Sequence, residues 1–515
     1  MRRVLDAIDR YQLLVAVGTT VLWGAILVVR VFLPHPVGLG DQDDGHRLFC
    51  ELGLRDDRPW QAPGNELVYP TWVEHRYYGE TCGANGTGEA YYSSHLALLR
   101  LARMLTPVLG LPGALDLRAL AVICIAIVAF ALGWLVAVLP GRVALRFVVV
   151  SAIGLLFADP GVAGYFISPY SEPAALLSVL LLCPALLMFF RADRPQWHHY
   201  LLVASIAAFA IASKTQMISL LPVIVVALLW NRRAAGAHRA QRLTRGFAVM
   251  LALGLAAVSG LYFTSQPQRF TMVNAYNQVF GTILPTSPDP AGDLEWFGLD
   301  PALASGSGTH ILSEDSVATD PAYAEFTEKV TPAEIALFYL THPARLPGLV
   351  GTGMEGAAEF RLPDDYAGSN LAGSGLPATQ IDHRMESYTF AFTAFEVAPA
   401  VLLGGYWLVA LIVFLTVTYH RADEPGVQAV GKLGLALIAA AFIQFWAVML
   451  SDGRSDLVKH MIVVNVCTAL TMPLLLAAWL NRKRRGTEGE EQQERTGGEA
   501  DREPVAASVP AAASV

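Results

Sequence analysis

The sequence predicts an all-α polytopic integral membrane protein of about ten transmembrane helices with large extracytoplasmic loops. Three observations carry that prediction. Hydrophobic residues make up 54% of the 515 positions and charged residues only 16%, whereas a soluble globular chain carries about 25% charged residues. The apolar residues fall in runs of the length that crosses a bilayer. The basic residues are clumped between those runs rather than scattered. A formal net charge of −8 argues against a nucleic-acid partner, which calls for a basic surface. Five cysteines are too few for a disulfide scaffold.

Taken in order, the chain begins with Arg2, Arg3 and Arg10 ahead of an apolar run ending at Leu33. No small-residue cleavage site follows, so this run reads as a retained helix rather than a signal peptide. A span needs about 20 apolar residues, and 12–33, 118–139, 246–264, 398–418, 433–450 and 460–480 each qualify. The stretches 145–190 and 198–230 are longer. At about 1.5 Å per residue the second would form roughly 50 Å of helix, too long for one span. Charge placement decides. Basic residues flank the cytoplasmic ends of helices. Arg142 with Arg146, Arg191 with Arg194, Arg232 to Arg245, Arg421 with Lys432, and Arg482 to Arg485 all share the side of Arg2 only if both long stretches are hairpins. The result is a multi-pass plasma-membrane protein with both termini cytoplasmic.

This topology divides the chain into the N-terminus and first helix (1–33), a first outer loop (34–117), helices two to seven (118–264), a second outer region (265–395), helices eight to ten (396–485) and a Glu- and Gly-rich cytoplasmic tail (486–515) whose composition predicts disorder. The first loop ends in an amphipathic stretch from Tyr92 to Leu111, around Arg100 and Arg103, that predicts a helix lying in the membrane interface. Cys50 and Cys82 lie in this loop, where an oxidising compartment would pair them; Cys124, Cys183 and Cys467 lie in apolar runs and read as packing residues. The region 265–395 exceeds an ordinary connection and predicts a functional domain. Within it, Thr331-Pro332-Ala333-Glu334 has the pattern of a capped helix start. The chain shows no internal repeat.

Four polar clusters then fall on the outer side. They are Asp41-Gln42-Asp43-Asp44-Gly45-His46-Arg47, Ser168 to Pro173 around Tyr170 and Glu172, Ser213-Lys214-Thr215-Gln216, and Ser451 to Asp456 with Lys459 and His460 beyond. Each has a plain reading: a solvated turn for the Asp runs, a helix cap for Glu172, and a lysine snorkelling toward head groups for Lys214. Converging around one cavity they would do more, because ionisable groups at the membrane need a partner or a cavity. Glycosyl transfer from a lipid phosphate needs a carboxylate to take the acceptor proton and cations for the leaving phosphate. Asp41-x-Asp43 has the form of the metal-binding DxD of nucleotide-sugar transferases, but the outer location lacks nucleotide sugars. A divalent cation (Mg or Mn) is compatible with these carboxylates, and no residue is assigned as its ligand.

At these residues the chain resembles the WsfD-like glycan hexosyltransferases of the GT-C class. The resemblance runs through the Asp41–Arg47 cluster, Gly164 to Glu172, Ser213 to Gln216, Asn274 to Asn277 with Ser287 to Pro290 and Gly298 to Pro301, and Asp452-Gly453 with Asp456, Lys459, His460 and Asn465. It implies a GT-C architecture, a polyprenyl-phosphate sugar donor, an envelope glycan acceptor and a base in the first loop. Where the family pattern has an Asp-Asn-Gly-Asp order, this chain has Asp43-Asp44-Gly45-His46, so the base stays open between Asp43 and Asp41, with Asp44 as an orienting or metal-binding neighbour. Lys214, Lys459, His460 and Arg454 are then expected on the donor phosphate, and Tyr170, Glu172 and Gln216 on the sugar or lipid. The rival is a transporter or flippase of a lipid-linked glycan. The absence of a repeat and the one-sided polar groups weigh toward the enzyme.

Overall fold

The computed structural model describes residues 12–42, 44–62, 66–77, 82, 90–192, 194–230, 238–363, 368–420 and 424–500. Ten apolar helical segments organise them: α1 (Gln12–Phe32), α2 (Leu117–Val138), α3 (Val143–Ala158), α4 (Glu172–Arg191), α5 (Trp197–Ile211), α6 (Thr215–Trp230), α7 (His238–Thr264), α8 (Pro399–His420), α9 (Pro425–Ser451) and α10 (Leu457–Ala500). Seven are long and apolar enough to cross a membrane by themselves, and α3 joins them if it is taken with Pro160–Ile167, to which it is bent by 58°. The bend follows from Asp159-Pro160: proline disfavours helix at the residue before it, and the Asp159 carboxylate caps the new start by accepting from Gly161 N. Helices α5 and α6 are shorter than a single span, so the described residues hold seven helices able to cross a membrane, or eight with the bent pair, against the ten that the sequence predicts. Each long apolar stretch is broken into helical segments, 145–190 between Ala158 and Glu172 and 198–230 between Ile211 and Thr215.

Burial orders the bundle. The apolar windows of α4 and α10 are 89% and 83% buried, while those of α1, α7 and α8 are 22% buried. The first two therefore form the centre and the last three present their apolar faces outward, as lipid contact requires. Helix α9 packs against α4, α8 and α10, and α1 lies along α2. Helix α10 continues to Ala500, into the segment whose composition predicts disorder; Glu, Gln and Arg, which fill most of 488–495, are strong helix formers.

The polar segments gather at one end. Arg146, Arg191 and Gly426 mark the other, where Arg146 meets Gln12 and Gly426 lies by Pro140 and Arg191. In the first loop a three-stranded antiparallel sheet, β1 (Leu54–Asp56), β2 (Thr71–Glu74) and β3 (Leu115–Asp116), pairs Leu54 with Glu74 and Thr71 with Asp116. Cys50 and Cys82 are joined in a disulfide. The amphipathic stretch forms a helix over His95–Val108, with Leu99 and Ala102 buried and Leu101, Met104 and Val108 exposed. The second outer region folds largely into short helices, among them Pro332–Thr341, which starts with Thr331 accepting from Glu334 N in a capping box.

Candidate active site

Backbone pairing fixes the acidic stretch before any side chain acts. Gly38 N donates to Ser369 O and Gly40 N to Gly368 O, each at 3.0 Å, while Leu39 N donates to Ile167 O at 3.0 Å. The segment is thus clamped between the second outer region and the turn that follows α3. Gly38 is required there, because a Cβ would run into the Ile167 carbonyl. Tyr170 is buried and its hydroxyl donates to Gly40 O at 2.9 Å, adding a fourth tie.

Beside this clamp lies a cavity of about 900 Å³. Asp44, Arg47, Tyr170, Glu172, Lys214, Gln216, Lys459 and His460 all line it, so the four polar clusters meet. Lys459 Nζ reaches Asp44 Oδ2 at 2.6 Å and Asp456 Oδ2 at 3.1 Å. Lys214 Nζ reaches Glu172 Oε1 at 2.7 Å, and Arg47 pairs with Asp44 one helical turn earlier. Lys459 also stands 5.4 Å over the Tyr170 ring, and Arg47 5.1 Å over that of Phe270. Burial raises the Asp44 carboxyl, but Lys459 and then Arg47 outweigh it and hold the group well below the usual carboxylate range. The Tyr91 phenol, buried in the same wall, is pushed up to about 12 and stays protonated.

A second set faces the cavity from the last loop and the outer region. His460 Nδ1 lies 3.0 Å from Asp452 Oδ2. Asn277 Nδ2 donates to Asp452 Oδ1 at 3.2 Å and lies 3.1 Å from His310 Nε2. Gln216 is held between α9 and α10, donating to Gln444 Oε1 at 3.1 Å and to His460 O at 2.9 Å. The apolar wall includes Phe263, Phe270 and Val273, with Leu312 and Ile335 from the outer region.

Of the residues singled out in the sequence, Asp43 lies outside the described residues. Asp41 is half-buried and is not part of the lining; its Oδ1 accepts from Gly45 N at 2.9 Å. Arg454 is exposed and borders a separate small crevice with Arg345 and Thr286. Arg47, Asn277, His310 and Asp452 belong to the lining without having been singled out as site residues. Arg47 had a signal, the three-residue spacing from Asp44 on a helix; His310 sits in a polar loop with none. Among the described residues no group of three His, Cys, Asp or Glu side chains is placed to hold a metal ion.

A family model described as the YfdI N-terminal transmembrane domain matches residues 2–497. No curated protein and no solved structure matches the chain.

Proposed function

The chain belongs to the YfdI N-terminal transmembrane domain family, and from that premise we propose that it is a membrane glycosyltransferase. It moves a hexose from a polyprenyl-phosphate donor onto a cell-envelope glycan at the extracytoplasmic face, the activity its resemblance to the WsfD-like transferases implies. The observation that carries this reading is the cavity in which Arg47, Lys214 and Lys459 gather against Asp44 and Glu172. A phosphate leaving a sugar accumulates negative charge, and cations fixed beforehand stabilise it without reorganising. The two carboxylates hold those cations in place while the donor is absent.

Access fits a lipid donor. Phe263 and Thr264, at the end of the peripheral helix α7, belong to the cavity wall, so the isoprenoid chain would lie toward the bilayer and the phosphate toward Lys214 and Lys459. The acceptor would enter past His310, Leu312 and Ile335 of the outer region. The transfer needs a base for the acceptor hydroxyl. The sequence points to Asp43, with Asp41 as runner-up; Asp44 suits the task poorly, because two cations hold its charge and a strongly stabilised carboxylate is a weak proton acceptor.

The test uses wild type and Lys459→Met in nanodiscs with radiolabelled polyprenyl-phosphate hexoses and envelope extract. Label is expected to pass to glycan with wild type, and donor binding to weaken at least about tenfold in the variant, the loss of one charge-assisted contact. Donor binding with no label moved under any acceptor or metal condition would leave the flippase reading in its place.

A further inference from the structure

We propose that His460 is the general base that takes the proton from the acceptor hydroxyl, held for that task by Asp452. The assignment rests on the glycosyl-transfer reading and replaces the first-loop carboxylates in this one role.

The geometry around Asp452 carries it. Its Oδ2 lies 3.0 Å from His460 Nδ1, and its Oδ1 accepts from Asn277 Nδ2 at 3.2 Å. Asn277 is fixed in turn by Ile311 N, which donates to its Oδ1 at 3.4 Å. An ionised carboxylate only accepts hydrogen bonds, so this contact favours the imidazole tautomer with the proton on Nδ1 and the lone pair on Nε2. That nitrogen makes no hydrogen bond among the described residues, and His460 lines the cavity with a 17% exposed side chain. The backbone under the ring is pinned as well: His460 N donates to Asp456 O at 3.0 Å, and His460 O accepts from Gln216 Nε2. A base within reach of substrate, oriented by a third group, is the arrangement that activates a hydroxyl.

The neighbouring positions Lys459 and His460 serve different walls. Successive residues on a helix point about 100° apart, and Lys459 turns to Asp44, Asp456 and the Tyr170 ring while His460 turns to Asp452. The phosphate cations are thus kept apart from the base. In the step, the acceptor O–H breaks and its oxygen bonds to the anomeric carbon. The bond from that carbon to the phosphate oxygen breaks, its electron pair leaving with the polyprenyl phosphate. The proton rests on Nε2, and Asp452 stabilises the imidazolium.

The experiment measures transfer at saturating donor, donor binding and imidazole rescue for His460→Gln, His460→Ala and Asp452→Asn in nanodiscs. His460→Gln should lose about 10²- to 10⁴-fold in kcat with donor binding kept within about threefold. Added imidazole should restore part of the rate to His460→Ala. Asp452 is a positioning residue, so Asp452→Asn should lower kcat by a smaller factor, without rescue. The proposal is overturned if His460→Gln keeps its rate, or if rate and donor binding fall together, which would make His460 a phosphate ligand. It is equally overturned if Asp43→Asn alone abolishes transfer while imidazole does nothing for His460→Ala. Wild type that binds donor and transfers nothing removes the glycosyltransferase reading itself, a result visible before any variant is compared.

Discussion

Lys459 Nζ lies 2.6 Å from Asp44 Oδ2 across 415 positions of the chain, which ties the start of the last helix to the first loop. The Lys459 side chain is 4% exposed and that of Asp44 17%, so neither charge can turn to bulk water if its partner is lost. Lys459→Met leaves Asp44 with Arg47 as its ion-pair partner among the described residues and is therefore expected to destabilise the protein, by less than about 3–5 kcal/mol, the penalty of a fully stranded buried charge. The double variant with Asp44→Asn should cost less than the sum of the single changes. Melting temperatures of the four proteins in nanodiscs close the cycle, and strict additivity would show that the pair is not coupled.

The acid response of this pair has a definite sign. The Asp44 carboxyl is held below its ordinary value, so its contribution to stability is present above about pH 4, the unfolded value, and is lost as pH falls through the lower folded value. The difference in melting temperature between wild type and Asp44→Asn should thus stay constant from pH 7 to about pH 4 and shrink only below. Convergence already at pH 6 would contradict the ion pairing.

His95 predicts a slope of the same sign at higher pH. It is fully buried, both ring nitrogens lack a hydrogen-bond partner among the described residues, and burial pulls it down to about 4, with Glu172 pulling the other way. The unfolded chain takes up that proton near 6.5. Stability is then complete above about 6.5 and falls as the pH drops toward the folded value, by about 3 kcal/mol in all. His95→Leu should flatten the melting temperature between pH 6.5 and 4 and leave the protein no less stable at pH 7. A slope unchanged by the substitution would place its origin elsewhere.

The long helices were legible because crossing a bilayer leaves an apolar signal of about 20 residues, and the two longer stretches break at polar residues, Asp159 in one and Ser213-Lys214 in the other. The four site clusters were legible for a related reason: charges such as Glu172 and Lys214 stand out beside apolar runs. What holds the clusters together was not. Gly38 and Gly40 pair with Ser369 and Gly368 through backbone groups, which carry no residue signature. The strands β1 to β3 have two to four residues each, too few for an alternating pattern. His310 reaches Asn277 only because the outer region folds back over the cavity, and nothing local to its own segment announces that.

Glu172 and Lys214 should separate stability from donor binding. Their contact of 2.7 Å, with the Glu172 side chain 4% exposed, makes Lys214 a cation with a resident counter-charge. Glu172→Gln is expected to lower the melting temperature, yet to keep or tighten donor binding, because the ammonium is released to the phosphate. Lys214→Ala should weaken donor binding about tenfold or more. Equal loss of donor binding in both variants would mean that Glu172 itself contacts the sugar.

Gly453 tests whether the last loop must hold its shape for transfer. It adopts φ +63°, a left-handed conformation that side chains disfavour, and it sits between Asp452 and the rest of the turn leading to His460. A Cβ there would also collide with the Thr282 hydroxyl and the Gln278 side-chain oxygen. Thr282 cannot simply swing away, because its hydroxyl accepts from Arg454 N at 3.0 Å. Gly453→Ala should cost about 1–3 kcal/mol in strain and displace Asp452, so the transfer rate falls more than donor binding does. Gly404, in α8, is the control: a Cβ there meets nothing within 4 Å. Gly404→Ala should leave the rate intact and stabilise the helix by about 0.5–1 kcal/mol. If Gly453→Ala behaves like Gly404→Ala, the position of Asp452 does not govern transfer.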